Sequence, residues 1–200
     1  MMTNEKKQSE KTIDIRKGPL SDELRILLED YPREAWQGHA NFKDLTRQWM
    51  GAHDMFRHLS ATVRRETEHF LDKARDEDDY ARRLSHYGSR LVGYLHGHHS
   101  WEDYEFFPEL SRADNRFDRG LEILEHDHVV LDDVLDRFTK DANDLIQLIK
   151  TPEKENRNKL QDIAGEIHYW SNGIEKLLDR HLADEEDLVV PIVLHHKLRG

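Results

Sequence analysis

The feature that most constrains this chain is an apolar period of about 3.6 residues that returns in four long segments, each passing through a histidine. The first, near residues 41–75, carries Phe42, Leu45, Trp49, Phe56, Leu59, Val63 and Phe70. The second carries Leu84, Gly88, Leu91, Leu95 and Phe106 and is expected to stop at Pro108, which cannot continue a hydrogen-bonded turn. The third carries Leu121, Leu124, Leu131, Leu135, Phe138, Ala142, Leu145 and Ile149 and closes at Thr151-Pro152. The fourth carries Leu160, Ala164, Ile167, Ser171, Ile174, Leu178, Leu188 and Ile192, with Pro191 expected to kink or end it. Each stripe is the buried face of an amphipathic helix. Four such helices on short connections predict an all-α fold, an antiparallel up-down-up-down four-helix bundle.

Only 10 Gly and 5 Pro in 200 residues agree with that fold. A domain of this size buries roughly 70% of the surface its unfolded chain exposes, so its core needs neither disulfide nor structural metal. With no cysteine, thiolate zinc sites and cysteine-bound iron–sulfur clusters are excluded, and any metal must rest on His, Asp, Glu or backbone. A formal net charge of -11, with no basic stripe, argues against nucleic acid and membrane surfaces as partners. The charged first residues lack the apolar core of a secretion signal, and no stretch is apolar enough to span a bilayer, so a cytoplasmic location is expected. No strand pattern, phosphate loop, nucleophile elbow or His-Glu-x-x-His motif occurs.

Residues 1–38 read as an N-terminal arm with a short helix, and residues 39–200 as the bundle. Residues 1–17 are charged and expected to be flexible. Ser21 can cap a short helix with Leu24, Leu27 and Leu28 on one face, closed by Tyr31-Pro32.

The gaps in the stripes carry the chemistry. His53 stands between Trp49 and Phe56, and His128 between Leu124 and Leu131. Leu91 and Leu95 lead to His98 and Glu102, while Ile174 and Leu178 lead to His181 and Glu185. Residues four apart share a helix face, so each His–Glu pair points inward together. His98, Glu102 and Pro108 stand 83 residues before His181, Glu185 and Pro191, a weak internal repeat. With turn centres near 77, 113 and 154, all four histidines fall within about 4–5 Å of one height at 1.5 Å rise per residue. Burying two carboxylates without partners costs several kcal/mol each, and a cation resolves that cost. Imidazole and carboxylate without thiolate suit iron, with manganese or zinc ranked lower, and the two glutamates can bridge a pair of metals.

These residues resemble the hemerythrin-like domains, whose bundles carry one His on the first helix, His-x-x-x-Glu on the second, His on the third and His-x-x-x-Glu or Asp on the fourth. The resemblance covers roughly residues 39–195. It implies His53, His98, His128 and His181 as terminal ligands and Glu102 and Glu185 as bridges between two iron ions. Oxygen-carrying members place a second His one turn before the third-helix ligand, where this chain has Leu124. The fourth-helix carboxylate can also lie five residues after its His, which would select Glu186. A register shift on the third helix would put Glu122 and His126 in place of the assigned ligand. His96, His99, His195 and His196 are expected in solvent or behind the ligands, and the runs Asp76–Asp79 and Asp184–Asp187 as solvated caps.

The function this implies is a non-haem di-iron protein that binds or reacts with dioxygen or peroxide, in oxygen or redox sensing or iron handling, with oxidase- or catalase-like turnover left open. The competing reading is a non-enzymatic module whose bundle is ordered by metal and read by a protein partner.

Overall fold

The computed structural model describes residues 18–151 and 157–198 together with Ile13 and Arg16, and among these residues there is no strand. A 3-10 turn, Ile26–Leu28, and a short helix α1, Arg33–Trp36, lead into the long helix α2, Asp44–Leu71. Helix α3, Glu77–Trp101, is followed by a π turn, Glu102–Phe106, and by α4, Phe107–Ala113. A 3-10 turn, Asn115–Phe117, precedes α5, Asp118–Ile149, and α6 runs over Arg157–His196. None of these helices is long and apolar enough to cross a membrane.

Local chemistry sets the ends. Lys73 takes up the left-handed conformation (φ 59°), and the Lys73 and Ala74 N–H groups close the carbonyls of Phe70 and His69 at 3.0 and 2.8 Å. This is the double hydrogen bond that ends a helix on a left-handed residue. Asp76 then caps α3 by accepting from Asp79 N–H at 2.9 Å. Glu77, Asp78 and Asp79 add negative charge at the positive end of the helix.

Pro108 does not stop its helix as expected, and Pro191, expected to kink or end its helix, does not end it. Ahead of Pro108 the turn widens, with Phe107 N–H donating five residues back to Glu102 O, and helix resumes as far as Ala113. Pro108 thus sits in the first turn of α4, where a missing N–H is least costly. Pro191 lies inside α6. Its neighbours Val189, Val190, Ile192 and Val193 are fully buried. Burial at about 1.5–3 kcal/mol per side chain outweighs a proline cost of about 3 kcal/mol.

Helix α2 packs on α3 and α6, and α5 packs on α3 and α6, so each long helix has two long neighbours. Leu45, expected in the core, is exposed because it falls in the first turn of α2. The apolar interior forms two clusters. One contains Phe56, Leu95, Leu131, Leu178 and Leu182, and the other Trp49, Phe106, Leu124 and Leu188.

The segment before α2 packs on this body, but the helix expected behind a Ser21 cap is only the 3-10 turn Ile26–Leu28, whose N-cap is Arg25 without a side-chain hydrogen bond. Leu20, Leu27 and Trp36 belong to the second cluster. Ile13 fills the space that a Cβ at Gly173 would need. Arg16, also expected to be flexible, pairs with Asp127 at 2.7 Å and Asp184 at 2.8 Å. The rest of the expectation for residues 1–17 lies outside the described residues.

Candidate metal centre

A polar layer separates the two apolar clusters. Along α2 it falls at His53, between Trp49 and Phe56. Along α3 and the π turn it falls at His98 and Glu102, between Leu95 and Phe106. On α5 it is His128, between Leu124 and Leu131. On α6 it is His181 and Glu185, between Leu178 and Leu188. The break in each stripe is therefore one shared level in space.

The six sequence-selected side chains converge there. His53 Nε2 lies 3.1 Å from His98 Nε2, and His128 Nε2 lies 3.2 Å from His181 Nε2. Glu102 Oε1 stands 2.9 Å from His98 Nε2, and its Oε2 stands 3.7 Å from His128 Nε2. Glu185 Oε2 is 3.5 Å from His53 Nε2 and 3.6 Å from His181 Nε2. Each carboxylate thus reaches across both imidazole pairs. The potential donor atoms of His53, His98, Glu102 and Glu185 lie within 4.8 Å of one another, as do those of His99, His128 and His181.

This cluster is not satisfied by hydrogen bonding. Both Glu185 oxygens and Glu102 Oε2 are buried without a hydrogen-bond partner. Among the described residues no Lys or Arg pairs with either glutamate. Orphaned buried oxygens facing imidazole nitrogens are costly in a bare protein. A divalent cation satisfies both donor types, so these residues fit a metal.

Carboxylates hold the imidazoles from behind. His128 Nδ1 meets Asp103 Oδ1 at 2.8 Å, and His53 Nδ1 meets Glu186 Oε1 at 3.1 Å. His181 Nδ1 faces Asp127 Oδ2 at 3.7 Å. A carboxylate at Nδ1 favours the tautomer with the proton there and leaves the Nε2 lone pair free for a cation. Trp49 Nε1 donates to Glu102 Oε1 at 2.6 Å and fixes that carboxylate from the α2 side.

The two glutamates titrate in opposite directions. Burial would raise Glu102, but the His98 hydrogen bond and the charges of His98, His128 and His53 outweigh it and bring it down to about 2. Burial pushes Glu185 well above the usual carboxylate range, and repulsion from Glu102 adds to the shift. Burial lowers His53, and it lowers His181 to about 4, keeping both imidazoles neutral at pH 7.

Two expectations are corrected, and the alternatives left open are placed. The run Asp184–Asp187 is not a solvated cap: Asp184, Glu185 and Glu186 are buried. Asp184 accepts from Leu20 N–H at 3.0 Å and pairs with Arg16. Glu186 meets Arg33 and Arg57, both at 2.8 Å, and Asp187 meets Arg25 at 2.9 Å and Arg33 at 2.6 Å. The alternatives fall outside the centre. Glu186 supports His53 from outside, and Glu122 and His126 are exposed. His99 is not in solvent. It is buried, with its ring 4.0 Å from that of His128 and nearly parallel to it.

Sequence reasoning missed His99 because it judged each helix by a single inward stripe. A helix with two long neighbours buries two adjacent directions, and the doublet His98-His99 marks both. Asp103, one residue after Glu102, carried the same signal.

Fold and site together define an all-helical protein with a buried cluster of histidines and carboxylates that could hold metal ions. The chain belongs to the hemerythrin family: the model of the hemerythrin HHE cation-binding domain matches residues 44–193. No curated protein and no solved structure matches the chain at comparable stringency.

Proposed function

We propose that the chain holds two iron ions in this layer and reacts with dioxygen or peroxide, in oxygen or redox sensing or in iron handling. The four long helices are taken as an up-down-up-down bundle, supported by their short connections and ring of neighbours. The observation that carries the reading is Glu185, whose orphaned carboxylate stands nearly equidistant from His53 and His181 and so faces both halves of the cluster.

His53, His98, His128 and His181 would be terminal ligands, with Glu102 and Glu185 between the ions. Iron pairs of this kind supply electrons to dioxygen or peroxide. The chain's own part is to present the imidazole nitrogens, keep bulk water out with Trp49, Phe56, Phe106 and Leu124, and give up the Glu185 proton as metal enters. The acidic Glu102 side chain stays ionised and compensates the charge of a bound cation.

The decisive experiment is the spectrum and metal content of purified protein loaded with iron. An oxygen-bridged pair of ferric ions absorbs in the near ultraviolet and visible. A colourless protein with fewer than about two irons per chain defeats the reading. Rapid peroxide consumption by the loaded protein would mark oxidase- or catalase-like turnover.

A second reading, a metal-dependent interaction module, is favoured by one observation. Arg16, Arg25 and Arg33, all before α2, bind carboxylates on α5 and α6 that stand beside the candidate ligands. A change at the centre therefore has a direct route to the outer N-terminal segment. Iron-dependent association with a partner, without peroxide turnover, would select this reading.

A further inference from the structure

We infer that His99 is a fifth imidazole ligand, completing with His128 and His181 a nitrogen-rich half-site for one divalent transition-metal ion. The inference rests on the two-metal reading above and adds a residue that the hemerythrin-like pattern does not supply.

His99 is buried, with 3% of its surface exposed, and neither ring nitrogen has a hydrogen-bond partner. A structural histidine at such depth normally finds a carbonyl, carboxylate or hydroxyl. Its surroundings are instead imidazoles: the His128 ring at 4.0 Å, the His181 ring at 5.6 Å and the His98 ring at 6.0 Å. Two unmade hydrogen bonds in a buried ring are a standing cost to the bare protein. A cation shared with His128 and His181 relieves that cost at one nitrogen.

The backbone explains how neighbouring residues serve two half-sites. Successive positions on a helix differ by about 100°, so neighbouring residues on α3 can face different helices. His98 turns toward α2 and meets His53, whereas His99 turns toward α5 and α6 and meets His128 and His181. The π turn that starts at Glu102 follows immediately, and widened turns of this type recur where a helix presents extra groups to a site.

The two halves then differ in chemistry. One offers two imidazoles and leans on both glutamates; the other offers three imidazoles and shares the glutamate oxygens. Imidazole-rich sites suit iron, zinc, copper or nickel, whereas oxygen-rich sites also accept manganese. In the present arrangement the His99 ring lies flat on His128, with 8° between their planes. Binding therefore requires rotation about the His99 Cβ–Cγ bond, a soft torsion for this residue.

The test uses the full chain with cobalt(II) chloride as the only added metal, followed by equilibrium dialysis and visible spectroscopy. Wild type is expected to bind two ions per chain. His99→Ala and His99→Gln should retain one and bind the second at least about 10-fold more weakly, with altered cobalt bands and unchanged helix content. In cobalt-loaded wild type with nitrogen-15-labelled histidine, five paramagnetically shifted ring signals are expected. This second measurement decides the matter if both variants misfold. Two ions with unchanged affinity and bands in the variants, or four shifted rings in wild type, overturn the role of His99 and leave the two-metal reading intact. Failure of wild type to bind cobalt and iron removes that reading, and the inference with it.

Discussion

Asp103 Oδ1 lies 2.8 Å from His128 Nδ1, while its sequence neighbour Glu102 turns the other way, with its Oε2 3.7 Å from His128 Nε2. One turn of chain therefore holds the same imidazole from outside and faces its metal-binding nitrogen from inside. Both residues lie at the start of the π turn Glu102–Phe106.

Asp103→Asn keeps the shape but removes the charge that fixes the His128 tautomer. It should weaken metal binding by about 10–100-fold without changing the number of ions bound at saturation. Competition with a chelator of known affinity measures the shift; an unchanged affinity would assign Asp103 to the surface alone.

Glu102→Ala removes a carboxylate that touches both imidazole pairs. Bound iron should fall clearly below the wild-type stoichiometry, because Glu185 is then the one carboxylate left facing both pairs. Metal analysis after desalting gives the answer, and wild-type content in the variant would take Glu102 out of the centre.

Metal binding should release protons, mainly from Glu185. Its folded pKa stands well above the ordinary 4.5, so its contribution to metal-free stability is complete below that value and is lost as pH rises through the folded value. Glu102 runs the other way: held near 2, it contributes stability above 4.5 that disappears as pH falls toward about 2. A cation replaces the Glu185 proton, so the rise in Tm on adding metal should grow from pH 5 to pH 8. Calorimetry in weakly buffered solution should show about one proton released per centre filled.

Leu135 is fully buried in the apolar cluster that also holds Phe56 and Leu95, and it is not among the candidate ligands. Leu135→Ala should cost about 2–5 kcal/mol of stability through lost burial and a residual cavity. Metal stoichiometry should not change. Chemical denaturation together with metal analysis separates this packing effect from the ligand variants.

Much of the site was legible because helical periodicity is a local property. A histidine at a stripe position must face whatever the stripe faces, and this alone placed His53, His98, His128 and His181, with Glu102 and Glu185, inside. His99 and the buried acidic run were not legible in the same way. Whether a residue one step off the stripe is wet depends on how many neighbours its helix has. Whether Asp184 and Glu186 can be buried depends on arginines as far away in sequence as Arg16 and Arg33.

The order of residues by itself determined the amphipathic faces, the absence of thiolate chemistry and the spacing that lets His and Glu act together. Tertiary structure alone decided that Pro191 is carried inside a helix, that His99 is buried, and that Asp184 and Glu186 lie inside against arginines of the N-terminal segment. The reason is range. Periodicity and capping act over one or two turns, whereas the burial that supports a proline and the ion pairs that support a buried carboxylate come from segments more than a hundred residues apart.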